Sequence, residues 1–148
     1  MKLLTIIALQ AALSGVSAAP ASNDCLVKQR SKLKSCNGFS VDTGSSNKLA
    51  FLHAECLGYD DKAGKWNKVE TGIDLNKCLV NVDGHLYGRE NGGFKAQCDN
   101  VHVALDSASG AVNLTADCVG PVLKLSTSID LGQFITVDNG ELCCFDQN

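Results

Sequence analysis

Alternation of apolar and polar positions predicts that much of the chain forms β-strands. Residues 113–119 alternate in this way, with Leu114, Ala116 and Cys118 on one face. Successive side chains of a strand point to opposite faces of a sheet, so this segment predicts a strand with one buried face. The partly alternating segment from Lys48 to Cys56 predicts a strand that ends at the cysteine.

Short turn signals separate the predicted strands. Asp83-Gly84 and Asn139-Gly140 are typical of two-residue hairpins, whose type I′ turn needs positive φ at both central residues. Asp74 is a predicted N-cap for one helical turn that continues to Lys77. Apart from this one helical turn, each of these segments is therefore predicted to be mostly strand.

The chain contains two copies of one unit. Leu52–Gly58 aligns with Leu114–Gly120 with four identical residues. Downstream, Ile73-Asp74-Leu75 corresponds to Ile129-Asp130-Leu131, and the copies meet near Asn91-Gly92-Gly93. Two copies are too few for a solenoid, so we predict one pseudo-two-fold domain.

The first residues have the pattern of a secretory signal peptide. Lys2 precedes an apolar stretch that is too short to span a bilayer, and Val16-Ser17-Ala18 is a typical cleavage tripeptide. We predict a signal peptide at 1–18, an N-terminal segment at 19–33 whose structure the sequence leaves open, and a domain at 34–148. The predicted location is secreted and extracellular, with no membrane partner.

Charge and cysteine content narrow the class of protein further. The 148-residue chain has a net charge of -3 and no basic stripe, which argues against nucleic acid as a partner. Its eight cysteines, combined with a signal peptide, predict a disulfide framework. Spacing alone leaves many pairings open.

The order and spacing of these features resemble the cyanovirin-N homologue (CVNH) family of sugar-binding lectins, especially its fungal members. Each copy runs Leu-x-Ala-x-Cys, a variable loop, Ile-Asp-Leu, and a Gly hairpin followed by Leu. The first copy adds the segment 74–86, and the second opens with 94–100. The resemblance covers 34–144 and places repeat 1 at about 34–93 and repeat 2 at about 94–148.

The resemblance implies a compact all-β fold of two pseudo-symmetric halves that exchange strands, each with a three-stranded sheet, a β-hairpin and short helical turns. It also implies one disulfide in each repeat, Cys36–Cys56 and Cys98–Cys118. Cys143 and Cys144 point to opposite faces of a strand and cannot readily share one partner. We expect Cys78 to pair with one of them and Cys25 with the other, and we disfavour the strained Cys143–Cys144 bridge.

The function implied by the resemblance is binding of mannose-type oligosaccharides, without catalysis and without a cofactor. The first family pocket uses the chain before the first cysteine, the predicted loop from Leu57 to Gly72, and the last hairpin turn. Trp66 in this loop either stacks on a sugar ring or plugs a space beneath the loop. The candidate binding residues are Ser31, Lys34, Ser35, Tyr59, Asp60, Asp61, Trp66, Asp138 and Asn139.

The second family pocket is predicted to be weak or absent. Its candidate residues are Asn81, Asp83, Arg89 and Asn91, and the first two have an alternative role in shaping the hairpin turn. Val119-Gly120-Pro121-Val122 provides no polar side chain where the family places several.

Two other groups of residues are predicted to have no catalytic or metal-binding role. Val41–Ser46 resembles an aspartic-protease loop, but that reaction needs a second facing Asp loop. Its repeat counterpart, Leu105–Gly110, indicates that both are local turns. His53, His85 and His102 have no metal-ligand spacing, so we expect surface or partly buried strand positions and no metal.

Three further expectations concern modification and partners. Asn113 begins a sequon and is a possible glycosylation site. We expect a monomer, with a flexible link at Asn91-Gly92-Gly93 that permits a domain-swapped dimer. The alternative function is a secreted interaction protein that keeps the fold without binding sugar.

Overall fold

The computed structural model describes residues 30–45 and 48–145. The predicted signal peptide and Cys25 lie outside the described residues. Within them, none of the helices is long and apolar enough to cross a membrane. The strands in this part of the chain are β1 (Arg30–Ser31), β2 (Cys36–Asp42), β3 (Phe51–Asp60), β4 (Lys65–Asp74), β5 (Leu79–Val82), β6 (His85–Gly88), β7 (Cys98–Leu105), β8 (Val112–Val119), β9 (Lys124–Asp130), β10 (Ile135–Asp138) and β11 (Glu141–Cys144).

The strands form one three-stranded sheet and one hairpin from each repeat. Antiparallel β2-β3-β4 and β7-β8-β9 are the sheets, β5-β6 is the first hairpin, and β10-β11 is the second, with β1 beside β10. The remaining regular elements of the described residues are 3-10 turns at Leu33–Ser35, Leu75–Lys77, Phe94–Ala96 and Leu131–Gln133. The predicted all-β fold with pseudo-symmetric repeats is confirmed.

Each hairpin packs against the sheet of the other repeat. In the first hairpin, Asn81 Nδ2 donates to the Val119 carbonyl at the end of β8, at 2.9 Å. In the second, the Leu142 amide donates to Thr71 Oγ1 on β4, at 3.0 Å. The exchange of strands between repeats is therefore present, and neither sheet is covered by its own hairpin.

Both repeats place a disulfide and a bulge at the same positions. Cys36 lies opposite Cys56, and Cys98 lies opposite Cys118, and each pair is bridged as predicted. The register of the sheet shifts two residues later, where Gly38 and Asn100 have φ of 64° and 49°. Positive φ is easily adopted by Gly and tolerated by Asn.

A third bridge joins the repeats. Cys78, which follows β4 in repeat 1, is bonded to Cys144 at the end of β11. Cys143 is also disulfide-bonded. The predicted pairing of Cys78 with one of the terminal cysteines is confirmed, and the predicted role of Cys25 stays a prediction because that residue is not described.

Equivalent residues of both repeats form one apolar core. Leu52 and Leu114 are fully buried on the central strands, and Leu75 and Leu131 are fully buried in the equivalent 3-10 turns. Phe94, at the start of repeat 2, is packed among them. On β8 the predicted alternation holds, because Leu114, Ala116 and Cys118 are buried while Thr115 is exposed.

The local turn predictions are also confirmed. Asp83 and Gly84 have φ of 52° and 88°, and Asn139 and Gly140 have φ of 46° and 90°. Asp74 Oδ1 accepts from the Asn76 amide at 3.0 Å and so caps the following 3-10 turn.

Two structural expectations need correction. The predicted strand that ends at Cys56 continues to Asp60, and the predicted loop 57–72 is a long hairpin with a turn at 61–64. The cysteine ends neither the alternation nor the pairing, because Gly58 still faces the core and Tyr59 still lies opposite Trp66.

The second correction concerns the link between the repeats. The Asn91 amide donates to the Lys77 carbonyl at 2.9 Å, and the Gly93 amide donates to the Asn76 carbonyl at 2.8 Å. A Cβ at Gly92 would overlap the Leu79 carbonyl. The segment is therefore packed and hydrogen-bonded rather than flexible.

Candidate functional site

The end of the β3-β4 hairpin is held against the turn of the β10-β11 hairpin. The side chain of Asn139 accepts from the Tyr59 amide at 2.6 Å and donates to the Tyr59 carbonyl at 3.2 Å. A Cβ at Gly58 would lie 2.6 Å from the Asn139 carbonyl oxygen, so the approach needs a glycine there. These contacts bring the predicted loop and the predicted last turn together.

An aromatic pair lies beside this contact. Tyr59 and Trp66 are cross-strand partners, and their rings meet edge to face with centroids 5.3 Å apart. The side chains are 36% and 60% exposed. The alternative role of Trp66 as a plug beneath a loop is therefore wrong, and its ring is available to a ligand.

The acidic candidates at this end have different roles. Asp60 Oδ1 accepts from the amides of Lys62 and Ala63 at 2.9 and 3.1 Å, so it shapes the turn. Asp61 in the same turn is exposed. Asp138 is half-buried and lies between Arg30 and Glu141 in the hairpin ladder.

The candidates before Cys36 do not all lie at the aromatic pair. Ser31 pairs with Val137 on β10. Ser35 donates through its hydroxyl to the Lys32 carbonyl at 3.2 Å. Lys34 lines a cavity of about 260 Å³ with Ser109 and Gly110 of repeat 2, and this cavity shares no lining residue with the Tyr59–Trp66 pair.

The second candidate region is brought together, but its polar groups are already in use. Asn81 Nδ2 donates to Gln97 Oε1 and to the Val119 carbonyl, and Asn81 Oδ1 accepts from the Gly84 amide. Leu125 fills the space beside Gly84, since a Cβ there would lie 2.7 Å from Leu125 Cδ1.

The other members of the second region are exposed or apolar. Asp83, Arg89 and Asn91 are exposed, while Val122 at the neighbouring β8-β9 turn is 91% exposed. The alternative role of Asn81 in shaping its hairpin turn is present in the structure.

The aspartates of the protease-like motif and of its repeat counterpart bond to their own neighbours in the chain. Asp42 Oδ1 accepts from the Gly44 amide at 2.7 Å. In its repeat counterpart, Asp106 accepts from the Ala108 amide and the Ser109 hydroxyl. The Ser109 hydroxyl, followed by the Ala108 amide, holds the pKa of the Asp106 carboxyl below its usual value. Both aspartates therefore have the local hydrogen-bonding role that was predicted.

Other predicted positions lie on strands. His53, His85 and His102 are exposed on β3, β6 and β7. The described residues hold no group of three side chains suited to a metal. Asn113 is half-buried on β8 between Ala104 and Asp130, and its glycosylation stays a prediction.

A groove that sequence reasoning missed crosses the outer face of the first sheet. Its volume is about 470 Å³, and its lining includes Gly38, Ser40, His53, Glu55 and Glu70. These residues are up to 32 positions apart in the chain, and only the register of β2, β3 and β4 brings them together. A sequence signal exists in the repeat, because Gly38 stands where repeat 2 has Asn100.

Several solved proteins share this fold. The CVNH protein of Gibberella zeae is 24% identical, with a TM-score of 0.56 over 75% of this chain and 94% of that chain. Microvirin, solved in complex with mannobiose, is 21% identical, with a TM-score of 0.55 over 77% and 98%. A variant of MoCVNH3, solved in complex with (N-GlcNAc)4, is 18% identical, with a TM-score of 0.57 over 75% and 94%.

At these identities the similarity establishes the fold, and membership of a family rests on the sequence itself. A comparison with curated proteins found no match. The profile of the CVNH domain matches residues 33–143, which span both repeats and the disulfide of each repeat. The chain belongs to the CVNH family.

Proposed function

We propose that this protein is a secreted lectin that binds mannose-type oligosaccharides without altering them, mainly at the end of the first half. The observation that carries the proposal is the Tyr59–Trp66 pair, exposed beside the contact between two hairpins. Membership of the CVNH family supports the lectin class. The sugar complexes of Microvirin and of the MoCVNH3 variant support a carbohydrate ligand.

The chemistry of this surface suits a sugar. A pyranose ring has one apolar face, which can pack on the exposed indole of Trp66. Its hydroxyls need partners, because a buried unsatisfied hydroxyl costs about 1–3 kcal/mol. The exposed carboxylate of Asp61 can accept from such hydroxyls, whereas Asn139 is committed to Tyr59 and acts by positioning the two hairpins.

Titration with a mannose-rich oligosaccharide, followed by amide NMR, tests the site. We expect shifts at 31–35, 57–66 and 136–140, and constant signals at 80–83 and 119–122. Shifts centred on Asn81, Asp83 and Pro121 instead would show that the sugar binds at the second candidate region and would contradict the proposed site.

A variant pair tests the aromatic contribution. Trp66→Ala should abolish these shifts while leaving the melting temperature close to that of the parent, because the ring is largely exposed. Tyr87→Ala is the matched control, since Tyr87 is also an exposed aromatic residue but lies on β6. Retained binding by Trp66→Ala would contradict the proposal.

A second candidate function is favoured by one observation. Val122 and Leu123 at the β8-β9 turn are 91% and 61% exposed, in the region of the second family pocket, which was predicted to be weak or absent. Large exposed apolar side chains are common at protein–protein contacts. If no glycan shifts any amide signal, the interaction protein without sugar binding replaces the lectin.

A further inference from the structure

The outer face of the first sheet connects the aromatic pair to the groove. Cross-strand pairs follow one another along this face, from Tyr59–Trp66 through Leu57–Lys68 and Glu55–Glu70 to His53–Gly72. Side chains two residues apart share a face of a strand, so these pairs form one continuous row. Six residues of strand separate Tyr59 from His53, which is about 20 Å.

The groove exists because repeat 1 lacks side chains that repeat 2 has. Gly38, at the bulge of β2, has open space where a Cβ would be. At the equivalent bulge of β7, the Asn100 amide crosses the sheet and donates to Asp117 Oδ2 at 2.8 Å. The corresponding carboxylate of repeat 1, Glu55, is instead paired with Lys68 at 2.7 Å, which leaves the space beside Gly38 open.

The lining combines hydroxyl partners with a ring. Ser40 and His53 are cross-strand neighbours, and both are exposed. The His53 ring packs against Phe51, with centroids 5.0 Å apart, and Phe51 covers Gly72. The carboxylate of Glu70 is exposed and has no ion-pair partner within the described part of the chain.

These features together fit a neutral pyranose. The His53 ring, the Ser40 hydroxyl and the two carboxylates can contact a sugar and hydrogen-bond to its hydroxyls. None of these contacts requires a charge on the sugar. An anionic saccharide would meet Glu55 and Glu70 with only Lys68 as compensation, which disfavours it.

We infer that this groove is a second saccharide subsite, which holds a neutral pyranose further along the oligosaccharide bound at Tyr59 and Trp66. The inference rests on the proposed function, because it takes the same class of ligand on the same face. Occupying both positions at once raises the apparent affinity for long chains, since the second contact becomes intramolecular. A sugar that is too short to reach both positions gains no affinity from the groove.

Amide NMR with two probes, mannobiose and a long mannose-rich oligosaccharide, tests this subsite. We expect the long oligosaccharide to shift the amides of 38–40, 53–55 and 70–72 in addition to those of 57–66. It should also bind roughly tenfold or more tightly than mannobiose. A polyuronic oligosaccharide of similar length should leave the groove signals unchanged.

The substitution Gly38→Asn copies repeat 2 into repeat 1. Asn tolerates the positive φ, meets no atom within 4 Å, and can reach Glu55 as Asn100 reaches Asp117. We expect it to remove the groove shifts and the gain for the long oligosaccharide while keeping the shifts at 57–66. Gly93→Asn is the matched control, because Gly93 also has positive φ and open space but lies outside the groove.

A second variant guards against an effect of Gly38→Asn on folding. Glu70→Ser introduces the residue type that repeat 2 has at the equivalent position, Ser126. This variant should weaken binding of the long oligosaccharide and leave binding of mannobiose unchanged. If the signals of 57–66 shift but those of the groove do not, the subsite is refuted and the lectin proposal stands. If neither region shifts, the proposed function itself fails.

Discussion

At the scale of single residues, one surface ion pair has a measurable signature. Lys124 donates to the carboxylate of Asp99, and this hydrogen bond, followed by the positive charge, lowers the pKa of Asp99 below its ordinary value of 3.8. The pair stabilises the fold at pH values above the unfolded pKa, and its contribution is lost as pH falls through the lower folded pKa. Both groups are exposed, so the effect on stability is small.

The substitution Lys124→Gln should raise the pKa of Asp99 towards 3.8, because it removes the two largest causes of the shift, the hydrogen bond from Lys124 and its positive charge. A pH titration of the carboxyl carbon by NMR measures this change. The control is Lys68→Gln, which removes the lysine at the equivalent position of repeat 1. It should leave the pKa of Asp99 unchanged. An unchanged pKa in Lys124→Gln would refute the assigned cause.

Residues with a local role were predictable, and residues with a distant partner were not. Asp74 and Asp83-Gly84 were assigned correctly because capping and turn geometry involve neighbours in the chain. The role of Asn139 in sugar binding stays a prediction, but the sequence did not predict that its side chain is bonded to Tyr59, 80 residues away. A partner that distant leaves no local pattern for sequence reasoning to use.

At the scale of elements, the contact between two hairpins supports the candidate site. Asn139→Ala removes both hydrogen bonds to Tyr59, so we expect their loss to lower the free energy of unfolding by about 1–2 kcal/mol beyond the cost of an alanine at positive φ. Urea denaturation measures the loss. Amide shifts on sugar addition should also weaken, since the orientation of the Tyr59–Trp66 pair depends on this contact.

The control for this substitution is Asn91→Ala. Asn91 has φ of 52°, close to the 46° of Asn139, so both variants share the cost of an alanine at positive φ. The difference between the two variants isolates the hydrogen bonds. Equal losses would mean that the side chain of Asn139 contributes nothing to the contact.

Element types were more predictable than element lengths. The alternation that predicted β3 was confirmed, but the strand runs through to Asp60 because its pairing with β4 continues past the disulfide. The segment after Cys56 was interpreted as a variable loop, whereas in the structure it extends the β3-β4 hairpin. The groove was missed for a related reason, since it depends on the register between three strands.

At the scale of the whole molecule, the bridges should contribute unequally. Cys78–Cys144 closes a sequence separation of 66 residues, and Cys98–Cys118 closes one of 20. In the chain-entropy account, these loops correspond to about 4 and about 3 kcal/mol. The double alanine variant at 78 and 144 should therefore lose about 1 kcal/mol more in urea denaturation than the variant at 98 and 118.

A larger loss in the variant at 98 and 118 would show that loop closure is not the main source of the stability that these bridges contribute. Comparable m-values for the two variants are required for the comparison, because a change in m would indicate an altered denatured state. The pairing itself came from the family resemblance and from strand geometry, and spacing alone would not have given it.

The exchange of hairpins has a consequence for proteolysis. Cleavage between Asn91 and Gly93 would leave two fragments that each supply the hairpin covering the other's sheet, and Cys78–Cys144 would still join them. A chain nicked there would remain one particle until its disulfides were reduced. The boundary between the repeats in the sequence is therefore not a boundary at which the folded protein can separate.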